Sequence, residues 1–439
     1  WRIYRPSAPL PFLASLVQNH PGAGEQHMLT SFLAIDGSWL YEESYEPKTI
    51  IADNDLTFSS PEKQAAFAAE SLLAADALSE LLQAVKRFNS NADNTRHIAL
   101  PSKYYAVMYM DGDKMSEWVQ GRNNPLMNHL LHPSAQLPPD IGLLMRPMDP
   151  VCHSSISKAL KNFSQTVVPA MIEEHHAAKL VYAGGDDVMA LVPLQDCLEL
   201  IREVRLAFTG EDKPDGSPGW RLLGGAQLLM MDAVAPGQGL AGEAKHGKAS
   251  ASTGVVIAHH SQPLMQVLSH AADVLKKQAK AAYGRDAFAV LVNKRGGEPL
   301  ATGAKWRSGD TDILSLLGQI SSFWGKGLSP ALMYAMQQES AGLAAVAALV
   351  RQDDKESFDQ QLLCKQGRLK WLAVQHSKEL AAADRVRLQA LLSELLTALE
   401  AESRNQSHPP AADQADKSGW NQLADLLLLS RFVSRGGEE

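Results

Sequence analysis

One run of four residues, Gly184-Gly185-Asp186-Asp187, combines approachable backbone with paired carboxylates. Glycines have no Cβ, so they take positive φ and let a phosphate or ribose come close to the main chain. Neighbouring carboxylates repel each other unless a cation neutralises them. Hard oxygen ligands of this kind suit Mg2+ or Mn2+, with phosphates and waters completing the octahedron. A second acidic run, Asp111-Gly112-Asp113, closes the apolar segment Tyr104–Met110. Two metals about 3.5–4 Å apart would activate a 3′-hydroxyl and stabilise a departing pyrophosphate. Taken alone, such a tetrapeptide is more often a hairpin turn than a site. The flanking strands and the second acidic strand end favour the site.

The elements around these residues supply the positioning. Tyr104–Met110 reads as a buried strand, and Lys179–Ala183 and Val188–Val192 as two short strands joined at the tetrapeptide. A helix from Ser154 to about His176 connects the first strand to the second, which makes those two parallel. The third then lies between them and runs the other way. The end of strand one and the hairpin meet at one sheet edge, which sets Asp111 beside Asp186 and Asp187. Asp111 and Asp186 are expected as the principal metal ligands and Asp187 as an assisting one. Strand side chains alternate in direction, so Asp186 and Asp187 are interchangeable at this level. Asp113 is expected either to join the site or to cap the following turn.

Triphosphate binding also needs cations. The stretch 276–307 holds Lys276, Lys277, Lys280, Arg285, Lys294, Arg295, Lys305 and Arg307 against two acids, Asp286 and Glu298. Most of these read as a solvated basic face. Lys280 and Arg285, where a helix leads into the last strand, are the expected phosphate contacts. Lys245 and Lys248 are further candidates for RNA or substrate. The adjacent His259 and His260 face opposite ways on a strand, which favours a structural role over a metal pair.

The remaining pattern assigns an α+β fold: a ferredoxin-like palm of the nucleotide cyclase or polymerase type, followed by an all-α helical domain. Residues 1–100 read as an irregular and helical segment with a helix opening at Ser60-Pro61-Glu62. Residues 101–308 form the palm, including a long insertion at 120–150 with six prolines and an expected strand at Leu222–Met231. Residues 309–439 form the helical domain, interrupted by a polar linker at Ser403–Gly419. With 439 residues, 45% hydrophobic and 21% charged, the profile is that of a globular, multi-domain chain. No apolar run reaches the roughly 18 residues of a membrane span. Three dispersed cysteines without a CxxC pair exclude a zinc ribbon and fit a reducing cytoplasm. A net charge of −8 excludes a general polyanion binder. The chain starts at Trp1, which reads as the processed or cloned boundary of something longer.

Four segments together resemble one family in order and spacing: Tyr105-Ala-Val-Met-Tyr-Met-Asp111-Gly-Asp113-Lys-Met, Ile156-Ser157-Lys-Ala-Leu160, Leu180-Val-Tyr-Ala-Gly-Gly-Asp-Asp-Val188, and Ser252-Thr-Gly-Val-Val-Ile-Ala-His-His260. That family is the large polymerase-like subunit of type III CRISPR effector complexes, III-B-like, of which this chain resembles the C-terminal half. The resemblance implies an RNA-activated nucleotidyltransferase converting ATP into cyclic oligoadenylates, with metal ligands at Asp111, Asp186 and Asp187 and nucleotide approach at Gly184 and Gly185. It implies other CRISPR effector subunits, a guide RNA and a target RNA as partners. The chain has no His-Asp dipeptide and no cysteine cluster, so the nuclease and zinc features of complete members are not assigned to it. Two alternatives stand beside this reading. One is GTP cyclisation of the diguanylate-cyclase kind, whose motif differs at Val188, and the other is a non-catalytic palm scaffold.

Overall fold

The computed structural model describes residues 41, 45–53, 56–90, 102–122, 124, 126–130, 137–176, 178–211, 249–348, 355–405 and 418–437. The expected strand at Leu222–Met231, together with Lys245 and Lys248, lies outside them. The chain divides into two compact units, Trp1–Lys103 and Tyr104–Glu439. In the first, α1 (Pro47–Asp53) precedes α2 (Pro61–Ser90), where the Lys63 amide donates to the Ser60 hydroxyl at 3.3 Å.

The second unit is built on a six-stranded sheet of order β2-β3-β1-β4-β5-β6. Its strands are β1 (Tyr104–Gly112), β2 (Lys179–Gly184), β3 (Asp187–Pro193), β4 (Ala251–His259), β5 (Ala287–Asn293) and β6 (Leu300–Lys305). β3 pairs antiparallel with both β2 and β1, β4 antiparallel with β1, and β5 parallel with β4. This is the ferredoxin-like arrangement expected from the sequence, extended by β5 and β6. Beyond it, β7 (Arg307–Ser308) and β8 (Thr311–Asp312) form a small hairpin.

Strand alternation sorts the core into two faces. Ala106, Met108 and Met110 of β1, Val188, Ala190 and Val192 of β3, and Val255 and Ile257 of β4 belong to one cluster. Val107, Val256, Ala258 and Ala289 belong to the other. The first face is covered by two helical elements. α3 (Pro150–Asn162) continues through π-turns at Phe163–Val167 and Ala170–His175, and α4 is Cys197–Thr209. α3 begins four residues before the expected Ser154, because Asp149 caps it by accepting the Cys152 amide at 2.6 Å and Pro150 follows at the first turn. The second face is covered by α5 (Leu264–Asp273), which widens into a π-helix over Val274–Ala282. Gly254 of β4 permits that approach: a Cβ there would lie 2.7 Å from the Leu275 Cα and 2.9 Å from the Ala271 carbonyl.

The helices after β8 are α6 (Ile313–Ser321), α7 (Ala331–Ala348), α8 (Lys355–Gln375), α9 (Ala382–Asn405) and α10 (Gly419–Ser434). Their buried leucines join the same cluster as the first sheet face. Polar contacts add to this: Gln422 donates to the Gly303 carbonyl at 2.6 Å, and Arg202 bridges Asp312 at 2.9 Å. No helix among the described residues is long and apolar enough to cross a membrane.

Candidate functional site

β1 leaves the sheet at Asp111-Gly112-Asp113. Its register sets Met110 opposite Val188 on β3 and Asp111 opposite Ser252 on β4. Asp111 therefore stands level with the start of β3, where Asp187 closes the β2–β3 turn against Gly184. Gly185 takes φ 66° while Asp186 does not, the pattern of a type II′ hairpin turn, which requires a residue that accepts positive φ at its first central position. The space beside Gly185 is open for 4 Å. Asp186 leans on Gly112, where a Cβ would come within 2.9 Å of both its Cβ and its Oδ2. By alternation, Asp187 shares with Asp111 the sheet face covered by the π-helix, which distinguishes it from Asp186 in the turn.

That π-helix delivers Lys280. Its ammonium lies 2.7 Å from Asp111 Oδ2 and donates to the Gly112 carbonyl at 3.4 Å. π-turns recur at functional sites, and this one carries the cation to the carboxylates. Burial pushes the Asp186 carboxyl above its ordinary pKa, with Asp187 and Asp111 adding repulsion and Lys280 opposing it. Burial likewise raises Asp187, with Asp111 adding and Lys280 opposing. Three acids at one sheet edge with a single ammonium leave an excess of negative charge, and the donors are hard oxygens suited to Mg2+ or Mn2+. Among the described residues no group of three or more acid, His or Cys side chains is gathered tightly enough to hold an ion. The carboxylates are neighbours but do not converge on one point.

Asp113 plays neither of the parts expected for it. It is buried, and it accepts from Ser250 Oγ at 2.9 Å, Ser252 Oγ at 2.8 Å and the Asp286 amide at 2.9 Å. It is an internal tie between β1, β4 and the turn before β5. That turn is unusual: Gly284, Arg285 and Asp286 all have positive φ, at 71°, 64° and 43°. Lys305 donates to the Gly284 and Arg285 carbonyls at 2.9 and 2.6 Å. Arg285 itself is exposed on this turn, and among the described residues no hydrogen bond or ion pair joins it to Asp111, Asp186 or Asp187. Sequence reasoning missed the Asp113 tie; the serines flanking Ala251 were its only local trace. His259 is buried, with Nδ1 2.7 Å from Ser261 Oγ and its ring packed edge-on against Tyr104.

A ferredoxin-like sheet with acids at the end of its first strand and in its second hairpin defines a palm of the nucleotide cyclase and polymerase type. Residues 104–217 and 237–289 match the family model described as Cas10/Cmr2, second palm domain. The chain is 31% identical over 204 residues to the CRISPR system Cmr subunit Cmr2 of Pyrococcus furiosus, covering 46% of this chain and 20% of that protein. It is 30% identical over 128 residues to the CRISPR system CMR subunit Cmr2 of Saccharolobus solfataricus, covering 29% and 11%. A solved Type III-B Cmr-beta structure in the apo state aligns over 64% of this chain and 34% of that chain, at 14% identity and TM-score 0.38. The same assembly bound to cognate target RNA aligns over 56% and 33%, at 15% identity and TM-score 0.38. The palm region, residues 104–217 and 237–289, is thus similar to the Cas10/Cmr2 second palm domain, the resemblance its motifs carried. The aligned part spans a fifth of the first relative's length, 20%.

Proposed function

We propose that this palm is a metal-dependent nucleotidyltransferase that joins ATP into cyclic oligoadenylates when RNA engages a type III CRISPR effector complex of which the chain is a subunit. One observation supports this above the rest: Asp111, Asp186 and Asp187 meet at a single sheet edge with Lys280 already among them. Mg2+ or Mn2+ held by the three aspartates would supply Lewis-acid activation of a 3′-hydroxyl and neutralise charge on pyrophosphate. The chain's own residues do the positioning. Asp111 presents its carboxylate from a central strand, and Asp187 faces it from the same side of the sheet. Asp186 contributes from the turn, held there by the missing side chain of Gly112. The open flank of Gly185 leaves backbone accessible to phosphate, and Lys280 is close enough to meet the triphosphate. The guide RNA, the target RNA and the other subunits of the complex would act by deciding when ATP gains this edge.

The test is product analysis by mass spectrometry. The full chain, alone and with its co-purified RNA and protein partners, is incubated with Mn2+ and either ATP or GTP. Cyclic oligoadenylates that vanish in the D186A/D187A variant are expected. Product from GTP only would overturn the assignment in favour of a diguanylate-type cyclase. Products unchanged in the double variant would exclude chemistry at this edge and leave the palm as scaffold.

A further inference from the structure

The ammonium of Lys280 contacts two oxygens, Asp111 Oδ2 at 2.7 Å and the Gly112 carbonyl at 3.4 Å. Both are hard ligands a divalent ion would also seek, and an ammonium and a divalent ion cannot share them without strong repulsion. The side chain of Lys280 is 17% exposed and that of Asp111 34%, so the pair is partly withdrawn from solvent and little weakened by salt. Lysine reaches this place on a flexible four-carbon stem, which allows its charge to leave without moving the helix.

We infer that Lys280 is a built-in counter-ion, which holds the metal's ground between Asp111 and Gly112 until a nucleoside triphosphate draws it away. This deepens the function proposed above and rests on it. The ammonium keeps Asp111 in place while nucleotide is absent. Triphosphate offers it a stronger partner, because its several negative charges attract an ammonium more than the single charge of one carboxylate. Its departure frees both oxygens for the ion that the phosphates bring. Metal and nucleotide therefore bind with positive coupling: Mn2+ binds weakly to the free chain and tightly in company with ATP.

The test measures Mn2+ affinity of the full chain by calorimetry or electron paramagnetic resonance, without nucleotide, and separately the affinity for a non-hydrolysable ATP analogue in Mn2+. Lys280→Gln is expected to bind Mn2+ more tightly than wild type, by about 5- to 150-fold, the usual range of coupling between two sites. The same variant is expected to bind the ATP analogue more weakly. Lys280→Arg keeps the charge and should leave Mn2+ affinity near wild type. Hydrogen exchange of β1 and the π-helix checks that each variant is folded, and Lys280→Met serves in its place should Lys280→Gln not fold. Opposite shifts of the two affinities support the exchange, since a merely structural lysine would move both the same way. Analogue binding by wild type with no Mn2+ gain in the variant overturns the exchange alone. No analogue binding by wild type overturns the exchange and the proposed substrate together.

Discussion

The tie at Asp113 yields a prediction with a local readout. Asp113 is 3% exposed as a residue, and its carboxylate accepts three hydrogen bonds at 2.8–2.9 Å, from Ser250, Ser252 and the Asp286 amide. Replacing it with alanine removes the shared acceptor and strands the part-buried Asp286 amide and the fully buried Ser252 hydroxyl. A buried donor left without its acceptor costs about 1–3 kcal/mol, and such costs do not add in full within one network. A loss of about 3 kcal/mol follows, which is roughly a hundredfold in an opening equilibrium. Asp113→Asn should cost much less: its amide oxygen still receives the Asp286 N–H, and the Ser252 hydroxyl can turn to accept from the new NH2. Hydrogen–deuterium exchange read on peptides spanning 284–288 and 250–253 tests this directly. Protection at Asp286 should fall about a hundredfold in Asp113→Ala and by far less in Asp113→Asn. Equal protection in wild type and Asp113→Ala would refute the argument that this carboxylate fixes the turn.

Other perturbations have equally defined outcomes. Gly254→Val drives a side chain into the Leu275 and Ala271 backbone, so a destabilisation of about 3 kcal/mol or more is expected, seen as lost soluble yield or a lowered melting temperature. Glu400→Ala strands Lys365, whose ammonium it holds at 2.8 Å with both side chains 9% exposed; about 3–5 kcal/mol should be lost in urea titration, and a K365M/E400M double variant should recover part of it. The 3.0 Å hydrogen bond to Glu203 raises the pKa of His176, with burial opposing it and the charges of Asp196 and Glu199 assisting. Its folded pKa lies above the ordinary 6.5, so it adds stability below that pH, and the gain is lost as pH rises through the folded value. Melting curves of His176→Asn should lose that slope, worth about 1.5 kcal/mol on the acid side. Amide exchange should be faster in β2, an edge strand, than in β1, which is bonded on both sides.

What the sequence revealed and what it hid divide along the range of the interactions. β1, β2 and β3 were legible because Met108, Val188 and Ala190 belong to short apolar runs whose period is local. The meeting of Asp111 with Asp186 followed from crossover topology, which needs only the order of those elements. Asp113 was ambiguous because its partners Ser250 and Ser252 lie 137 and 139 residues away, and no local spacing marks such a tie. The strand β6 was hidden by composition. Leu300–Lys305 contains a glycine, a threonine and a lysine, and Gly303 is there because a Cβ would meet the Ala289 Cα at 2.8 Å. The π-helix was invisible for a different reason: an apolar stripe on the Gly254 side fits α- and π-geometry alike over nine residues.

The same topology bears on how firmly each carboxylate is held. Asp111 ends the third strand of the sheet, clamped between β3 and β4 and tied just beyond its end by Asp113. At the other end of β1, Tyr104 packs edge-on against Phe432 of α10 at 5.0 Å and against His259 at 5.2 Å. The strand carrying Asp111 is thus gripped at both ends, and the helical part of the unit supplies one of the grips. Asp186 and Asp187 instead lie in a hairpin whose outer strand has a single neighbour, with Val181 and Tyr182 about half exposed. Central strands open at the global cost of unfolding, whereas edges open for much less. Of the three acids, only Asp186 sits in the turn, whereas Asp111 and Asp187 stand on strands that are paired on both sides, so the backbone at Asp186 is the one held least by the sheet.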